Sequence, residues 1–436
     1  MSSTECSSSP FLRPENIVHH TINTKSNNAP SASSTINNMT RLLVLLLIVG
    51  TLASCAVQQP QSPPVQPGDG LPTRPPATAP PVSASPTGPS SAPTTAPTGP
   101  IITQAKSRWV PARWSDLPGW DNDALHEAWN AWLKSCERPT TALASLCPEV
   151  RRLSIASGAE QRAWLIQRLQ PYRVEPLTTN ASGNSNEGLL TGYYEPVLQA
   201  TRNPTAASAA ALYKPPTNLA SRKPWYSRKD IDTLPEAKAA LQGRAIAYLA
   251  DPVDVLVLQI QGSGRLRVTE PDGSQKMVRI AFAATNDQPY KSVGRYLLDQ
   301  GLIKDASWPG IKAWIVANPQ RTNELLWSNP RVVFFREESL DGPEANAGPK
   351  GAQGVALTAG RSIAVDPGSM PYGAPVWLAS QGPVTNLQRL VLAQDTGTAI
   401  VGAARADYYA GTGLEAGELA GTLKQPLQLW VLWPKP

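Results

Sequence analysis

Between Pro60 and Pro100 the chain carries 14 prolines in 41 residues, interleaved with Ser, Thr and Ala, and only Asp69 and Arg74 are charged. Proline removes a backbone donor and fixes φ, and so little apolar surface cannot offset the entropy of ordering. This stretch therefore builds no core. At about 3 Å per residue in polyproline geometry it is a spacer that reaches roughly 100 Å. It splits the 436 residues into a short leader and a globular part that begins near Trp109. A length divided by about 150 residues per domain gives two or three units, consistent with that split.

The leader contains an unbroken apolar or small run from Leu42 to Ala53. A dozen residues are too few to cross a bilayer, which needs about 20, but they suit the apolar region of a signal peptide. The run ends Leu52-Ala53-Ser54-Cys55, which resembles the bacterial lipobox, so Cys55 is expected to become a lipidated mature N-terminus. A basic start lies at Met39-Thr40-Arg41, behind 38 polar residues without periodicity, which places the expected translation start at Met39. Ala56 after the cysteine matches the sorting pattern for an outer-membrane lipoprotein facing the periplasm of a Gram-negative cell.

Three histidines narrow the chemistry. His19 and His20 precede the leader run and only His126 follows it, which leaves no Ser-His-Asp triad and no multi-histidine metal site. Cys6, Cys55, Cys136 and Cys147 form no C-x-x-C pair, so a zinc ribbon or dithiol redox centre is excluded too. What remains is acid catalysis by carboxylates, with no metal and no cofactor. The net charge of +6 is a mild excess that suits an anionic partner without naming one.

Leu125, Trp129, Trp132, Leu133 and Cys136 follow helical spacing, with Asn122 or Asp123 as the expected cap, and the stripe reads as core. Cys136 and Cys147 would join in an oxidising compartment, the alternative being two buried thiols. A second helix is expected near Ala159 to Leu169. Short strands are then expected at Gly188 to Gln199, Val253 to Gln261, Arg265 to Val268, Lys276 to Phe282 and Arg331 to Arg336. Helices follow at Ser292 to Gln300 and Pro309 to Ala317, and a strand-rich block runs from Arg361 to Trp433. Without helix–strand alternation the architecture reads as mainly β with some helices, and barrel-like.

Val255 to Gln261 alternates at a period of two and would put Gln259 and Gln261 on one face, where amides can donate to and accept from sugar hydroxyls and N-acetyl groups. A solvated strand face explains it equally. Gly262-Ser263-Gly264 lets backbone approach a ligand closely. Gly188 to Pro196 offers Thr191, Tyr193, Tyr194 and Glu195, a hydroxyl, two rings for stacking on pyranose and a carboxylate. Asp366, Asp395 and Asp407 each end a short apolar run beside turn residues. Such carboxylates can converge in a cleft where one is held protonated as a general acid, or each can simply cap its own turn.

Together Leu189 to Pro196, Tyr248 to Asp254, Leu258 to Arg265, Gly351-Ala352-Gln353-Gly354-Val355, and Gln394-Asp395-Thr396-Gly397 through Ala403 to Asp407 resemble the membrane-bound lytic murein transglycosylase A family. The last block resembles the three-aspartate domain of cell-wall proteins. The resemblance implies a double-psi β-barrel formed by residues 106–195 and 337–436, interrupted by a smaller inserted β-barrel domain at 196–336, after a leader at 1–54 and a lipidated linker at 55–105. It implies glycan strands of peptidoglycan as the partner, bound in the groove between the domains, with cell-wall synthesis proteins as further partners and no nucleic acid.

By the same resemblance Asp407 is the catalytic acid, with Asp395 and Asp366 supporting it. Thr191, Tyr193, Tyr194, Gln259, Gln261, Gly262 and Ser263 fall in motifs that line the groove. Thr398, Val401 and Val257 depart from the usual Gly, Lys and Phe. The implied reaction cleaves the β-1,4 bond between N-acetylmuramic acid and N-acetylglucosamine and leaves a 1,6-anhydro end. A water-using hydrolase employing Asp407 with Asp395, and a noncatalytic peptidoglycan-binding lipoprotein, are the alternatives.

Overall fold

The structure, a computed structural model, describes residues 99–177 and 187–435. The leader, Cys55 and the proline-rich segment lie outside the described residues. No helix among the described residues is long and apolar enough to cross a membrane.

The first strands, β1 (Ile102–Thr103), β2 (Arg108–Pro111) and β3 (Leu169–Glu175), form an antiparallel flap with β15 (Lys424–Pro434). Beside them are β4 (Gly188–Glu195), β11 (Ser362–Val365), β12 (Pro375–Gln381), β13 (Asn386–Asp395) and β14 (Arg405–Thr412). The order β15-β12-β13-β11-β14-β4 closes on itself, because β4 also pairs with β15. Two of its pairings, β11 with β13 and β14 with β4, are parallel. This closed six-stranded ring is the double-psi β-barrel. Closure removes the sheet edges that would otherwise expose unpaired backbone.

Between β4 and β11 the chain builds a second sheet from β5 (Val197–Thr201), β6 (Ala210–Tyr213), β7 (Ala245–Leu249), β8 (Ser263–Thr269), β9 (Gln275–Thr285) and β10 (Val333–Ser339). Its order is β10-β9-β8-β5-β7-β6, and the two end strands β10 and β6 come into contact, so this smaller barrel nearly closes. Leu212, Leu258, Leu266, Val268, Val278, Ile280 and Phe335 fill it.

The helix over Leu125–Ser135 forms as its spacing predicts and buries Trp129 and Trp132 against Trp164 of the Gly158–Arg168 helix. The cap differs. Ala124 occupies the cap position, while the Asp123 carboxylate accepts from the Leu390 amide and pairs with the buried Arg361. Cys136 and Cys147 are joined as a disulfide. The helices at Val293–Asp299 and Trp308–Ala317 also match the sequence reading, and the C-terminal block holds one helix, Leu414–Thr422.

The expected strand at Val253 to Gln261 is instead a helix over Pro252–Gln261. The Asp251 side chain accepts from the Val253 amide at 2.8 Å, Pro252 takes the first turn where a missing N–H costs nothing, and Gly262 ends the helix at φ 81°. Apolar side chains are needed on two sides, since Val255 and Leu258 enter the small barrel while Leu256 and Ile260 pack on Val293, Leu297 and Trp314. A helix wedged between two cores is apolar nearly all round, and that pattern also satisfies a period of two.

β4 ends at Glu195, where the chain leaves the first barrel. Its carboxylate is fully buried and accepts from Arg279 Nε at 2.5 Å, Arg265 Nε at 2.7 Å and Thr412 Oγ1 at 2.9 Å. Arg265 also donates to the carbonyls of Ala345 at 2.8 Å and Ala347 at 3.0 Å, on the segment that returns to the barrel. One carboxylate thus ties the outgoing and returning crossings to β8 and β9. Glu195→Ala would strand two guanidinium groups at a buried site and should destabilise the protein by about 3–5 kcal/mol. The measurement is the chemical-denaturation midpoint, with Glu195→Gln expected between the two.

Candidate active site

β14 points Ala406 and Tyr408 into the barrel core, so Arg405, Asp407 and Tyr409 take the opposite face. β4 does the same, with Leu190 inside and Thr191, Tyr193 and Glu195 outside. The parallel register sets Asp407 opposite Thr191, and on the other side Ala364 of β11 lies between Asp407 of β14 and Asp395 of β13. Two strand spacings put the α-carbons of the two aspartates about 10 Å apart. Ala364 gives the narrowest side chain between them.

Thr191 Oγ1 donates to Asp407 Oδ1 at 2.5 Å and accepts from Arg405 Nη2 at 2.8 Å. Among the described residues no donor reaches Asp407 Oδ2. Burial pushes the Asp407 carboxyl above its ordinary value, while the Thr191 hydrogen bond and the Arg405 charge pull the other way. Asp395 is held differently. Its Oδ1 accepts from the amides of Thr396 and Ala352, both at 2.9 Å, and its Oδ2 accepts from Tyr193 OH at 2.9 Å. Burial raises it to about 6 against those three donors, and the Asp407 charge adds to the rise. The Tyr193 phenol is pushed well above its usual value by burial and by Asp395.

Asp366 does not join this pair. It caps its own turn, accepting from the Gly368 amide at 2.9 Å, and also takes the Gly402 amide and Lys106 Nζ, each at 2.9 Å. Burial opposes its ionisation, but the Gly402 and Gly368 amides and the Lys106 ammonium hold its pKa below the ordinary value. Its Oδ1 is taken by its own turn and its Oδ2 by Gly402 and Lys106, so the structure ties Asp366 to those segments and not to Asp395 or Asp407.

Gln259 and Gln261, two apart on a helix, face different ways. Gln259 Oε1 accepts from the buried Arg228 at 2.5 Å, whereas Gln261 Oε1 accepts from the Tyr194 amide at 3.0 Å. Gln261 therefore meets β4 beside Tyr193, and Gln259 does not. The Tyr194 ring leaves the Tyr193 face and packs on Gly417, where an added Cβ would come within 2.8 Å of it. Gly262 supplies the left-handed turn, and Ser263 opens β8 opposite Ala281.

Three participants were not singled out from the sequence. Arg405 lies two residues before Asp407 on a strand, and a period of two would have put it on the same face. The Ala352 amide comes from a turn remote in sequence. Tyr290, from the inserted segment, is half-buried; burial raises its phenol, and the Asp407 charge adds to that rise. Nothing in the local pattern signals Tyr290.

A double-psi barrel that sets two buried carboxyls on the strands flanking β11, both raised by burial and only one of them held by donors on both oxygens among the described residues, has the features of an enzyme site. Residues 189–336 match the profile described as the MltA specific insert domain, and residues 361–433 match the 3D domain. The membrane-bound lytic murein transglycosylase A of Vibrio cholerae is 30% identical over 289 residues, covering 62% of this chain and 73% of that protein. The protein of the same name from Escherichia coli K12 is 31% identical over 280 residues, covering 62% and 72%. Among solved structures, MltA from Neisseria gonorrhoeae superposes with a TM-score of 0.63 at 30% identity, covering 78% of this chain and 96% of that one. A lytic transglycosylase of Burkholderia pseudomallei gives 0.51 at 38% identity, covering 78% and 98%.

The chain belongs to the membrane-bound lytic murein transglycosylase A family. It is a peptidoglycan lytic transglycosylase, a carbon–oxygen lyase acting on polysaccharide.

The Thr191 hydrogen bond favours ionised Asp407, so removing it raises the pKa further. Thr191→Val should therefore move the Asp407 titration, followed by carboxyl NMR, to higher pH, and it should lower turnover because the acid is less firmly aimed.

Proposed function

We propose that Asp407 is the one acid and base of a reaction that cleaves the β-1,4 bond between N-acetylmuramic acid and N-acetylglucosamine and leaves 1,6-anhydromuramic ends. The observation that carries this reading is the contrast between the carboxylates. Both oxygens of Asp395 are occupied by three donors, whereas no donor among the described residues reaches Asp407 Oδ2. A hydrolase needs a second carboxylate able to attack or to deprotonate water, and Asp395 would have to break its own hydrogen bonds to do either.

In the proposed sequence, protonated Asp407 gives its proton to the glycosidic oxygen as the bond from that oxygen to the muramoyl C1 breaks, the electron pair leaving with the oxygen. The C6 hydroxyl of the same muramoyl residue attacks C1, and its proton passes to the Asp407 carboxylate. The acid is thereby regenerated, and no water enters the products. Intramolecular attack carries the advantage of a unimolecular step. Burial of Asp407 keeps the acid protonated above the ordinary carboxylate range, so turnover should fall as pH rises through its raised pKa. Asp395, fixed beside it, supports the electropositive centre at C1 when ionised.

The domain division follows the same reading: residues 106–195 and 337–436 carry the acid, residues 196–336 are the glycan-binding insert, and the strand lies in the groove between them. Cys55 is the lipid attachment site, which the proline-rich spacer separates from the catalytic part, and the protein is an outer-membrane lipoprotein facing the periplasm.

The test is mass spectrometry of muropeptides released from purified sacculi by protein lacking residues 1 to 55. Ends lighter than the hydrated form by one water, about 18 Da, are expected, and reducing muramic ends would replace this reading with hydrolysis. Asp407→Ala should abolish release while leaving thermal melting and glycan binding nearly unchanged.

A further inference from the structure

The Gly351-Ala352-Gln353-Gly354-Val355 turn is unused by the mechanism except through one amide. Gly351 accepts no side chain, because a Cβ there would lie 2.5 Å from the Gln394 carbonyl, and the turn closes on itself through Gly354 N to Gly351 O at 2.8 Å and Gly351 N to Val355 O at 3.0 Å. Its central Gln353 turns inward and is buried, as are Ser135, Ser362 and Gln394. These four side chains form a buried polar network between the barrel strands and the Leu125–Ser135 helix.

Every amide hydrogen of the two glutamines has a partner. Gln353 Nε2 donates to the carbonyls of Arg138 at 3.1 Å and Ser135 at 3.3 Å, and Gln353 Oε1 accepts from Ser135 Oγ at 3.1 Å. Gln394 Nε2 donates to Ser135 Oγ at 2.7 Å and the Ala131 carbonyl at 2.8 Å, and its Oε1 accepts from Ser362 Oγ. The Gln353 amide also donates to the Gln394 carbonyl at 3.0 Å. Both glutamines thus satisfy carbonyls at the end of the Leu125–Ser135 helix, next to the Cys136–Cys147 disulfide. A fully satisfied buried network permits only one arrangement of its members, since any other leaves a polar group unpaired.

The network flanks the site on both sides of one contact. Gln394 precedes Asp395 on β13, and Gln353 follows Ala352, whose amide reaches Asp395 Oδ1 at 2.9 Å. We propose that Gln353 is a positioning residue for the reaction: by tying the 351–355 turn to the end of the disulfide-bearing helix, it aims the Ala352 amide at Asp395 and fixes that carboxylate beside Asp407. This rests on the reading that Asp395 supports the reaction at Asp407. The groups that face Asp395 are Tyr193 from β4, Asp407 from β14, Tyr372 from the turn before β12 and the amides of Thr396 and Ala352. Of these donors the Ala352 amide is the one that Gln353 controls. Its loss disfavours ionised Asp395, so the carboxyl should titrate at higher pH.

The experiment compares Gln353→Ala, Ser135→Ala, Asp395→Asn and the Gln353→Ala/Asp395→Asn pair in the protein lacking residues 1 to 55, by pH–rate profile on sacculi and by thermal melting. Gln353→Ala is expected to lower kcat about tenfold to a hundredfold with KM nearly unchanged, the scale of a misplaced group near the reacting centre. Because Asp395 supports the reaction when ionised, activity should rise with pH as Asp395 ionises, and that rise should move to higher pH in Gln353→Ala, which should have little further effect on kcat in the Asp395→Asn background. Ser135→Ala, which removes the hydroxyl's links to Gln353 and Gln394 but leaves the Gln353 side chain and its two backbone carbonyl partners in place, should show the same shift in smaller measure and keeps the test valid if Gln353→Ala does not fold. A lowered melting temperature with an unchanged profile, or full additivity with Asp395→Asn, would overturn the positioning role. Full activity of Asp395→Asn alone would instead overturn the supporting role of Asp395, and with it this inference.

Discussion

The buried Glu195 carboxylate between Arg265 and Arg279 is the interaction on which the rest depends. β4 sends Thr191, Tyr193 and Glu195 to one face, and these three hold, in order, Asp407, Asp395 and the base of the inserted barrel. A strand's period of two makes this possible with no additional element. A shift of one residue in the pairing of β4 with β14 would turn all three inward and lose the acid, its neighbour and the domain junction together. Burying the carboxylate would be costly alone. Two guanidinium groups and the Thr412 hydroxyl around it offset that cost, and removing the carboxylate leaves the two guanidinium groups facing each other without their counter-ion.

The site divides two similar side chains into different roles by environment alone. Asp395 and Asp407 lie on strands flanking the same β11, and burial raises both. Asp395 meets three donors that orient it completely. Asp407 meets one hydroxyl, itself held by Arg405, and among the described residues no donor reaches its second oxygen. It is this difference in surroundings that the proposed division into an acid, Asp407, and a fixed companion, Asp395, rests on.

How much of this was legible depends on the range of the interactions. The Trp129/Trp132 helix, the disulfide partners and the strands around Thr191 and Asp407 could be read because each rests on spacing within about a dozen residues. Val255 to Gln261 could not, because its alternation was the by-product of a helix packed on two cores, and the Asp251-Pro252 start that distinguishes helix from strand was outweighed by the run itself. Asp366 looked equivalent to Asp395 and Asp407 in sequence. Its Oδ1 caps its own turn through the Gly368 amide, and Lys106 and Gly402, remote along the chain, occupy its other oxygen. Tyr290 carries no local signal at all.

Sequence alone therefore determined the proline-rich composition of residues 60–100, the scarcity of histidine and of paired cysteines that turns attention to carboxylates, and the motifs that carry the family resemblance. Those are matters of composition and near-neighbour pattern. Tertiary structure decided which aspartate is free, which is held and which is spent on a turn, and that Gln353 and Gln394 face inward to a helix end. The physical reason is that ionisation and orientation depend on donors and dielectric at a few ångströms, and those are supplied here by strands and turns far apart along the chain.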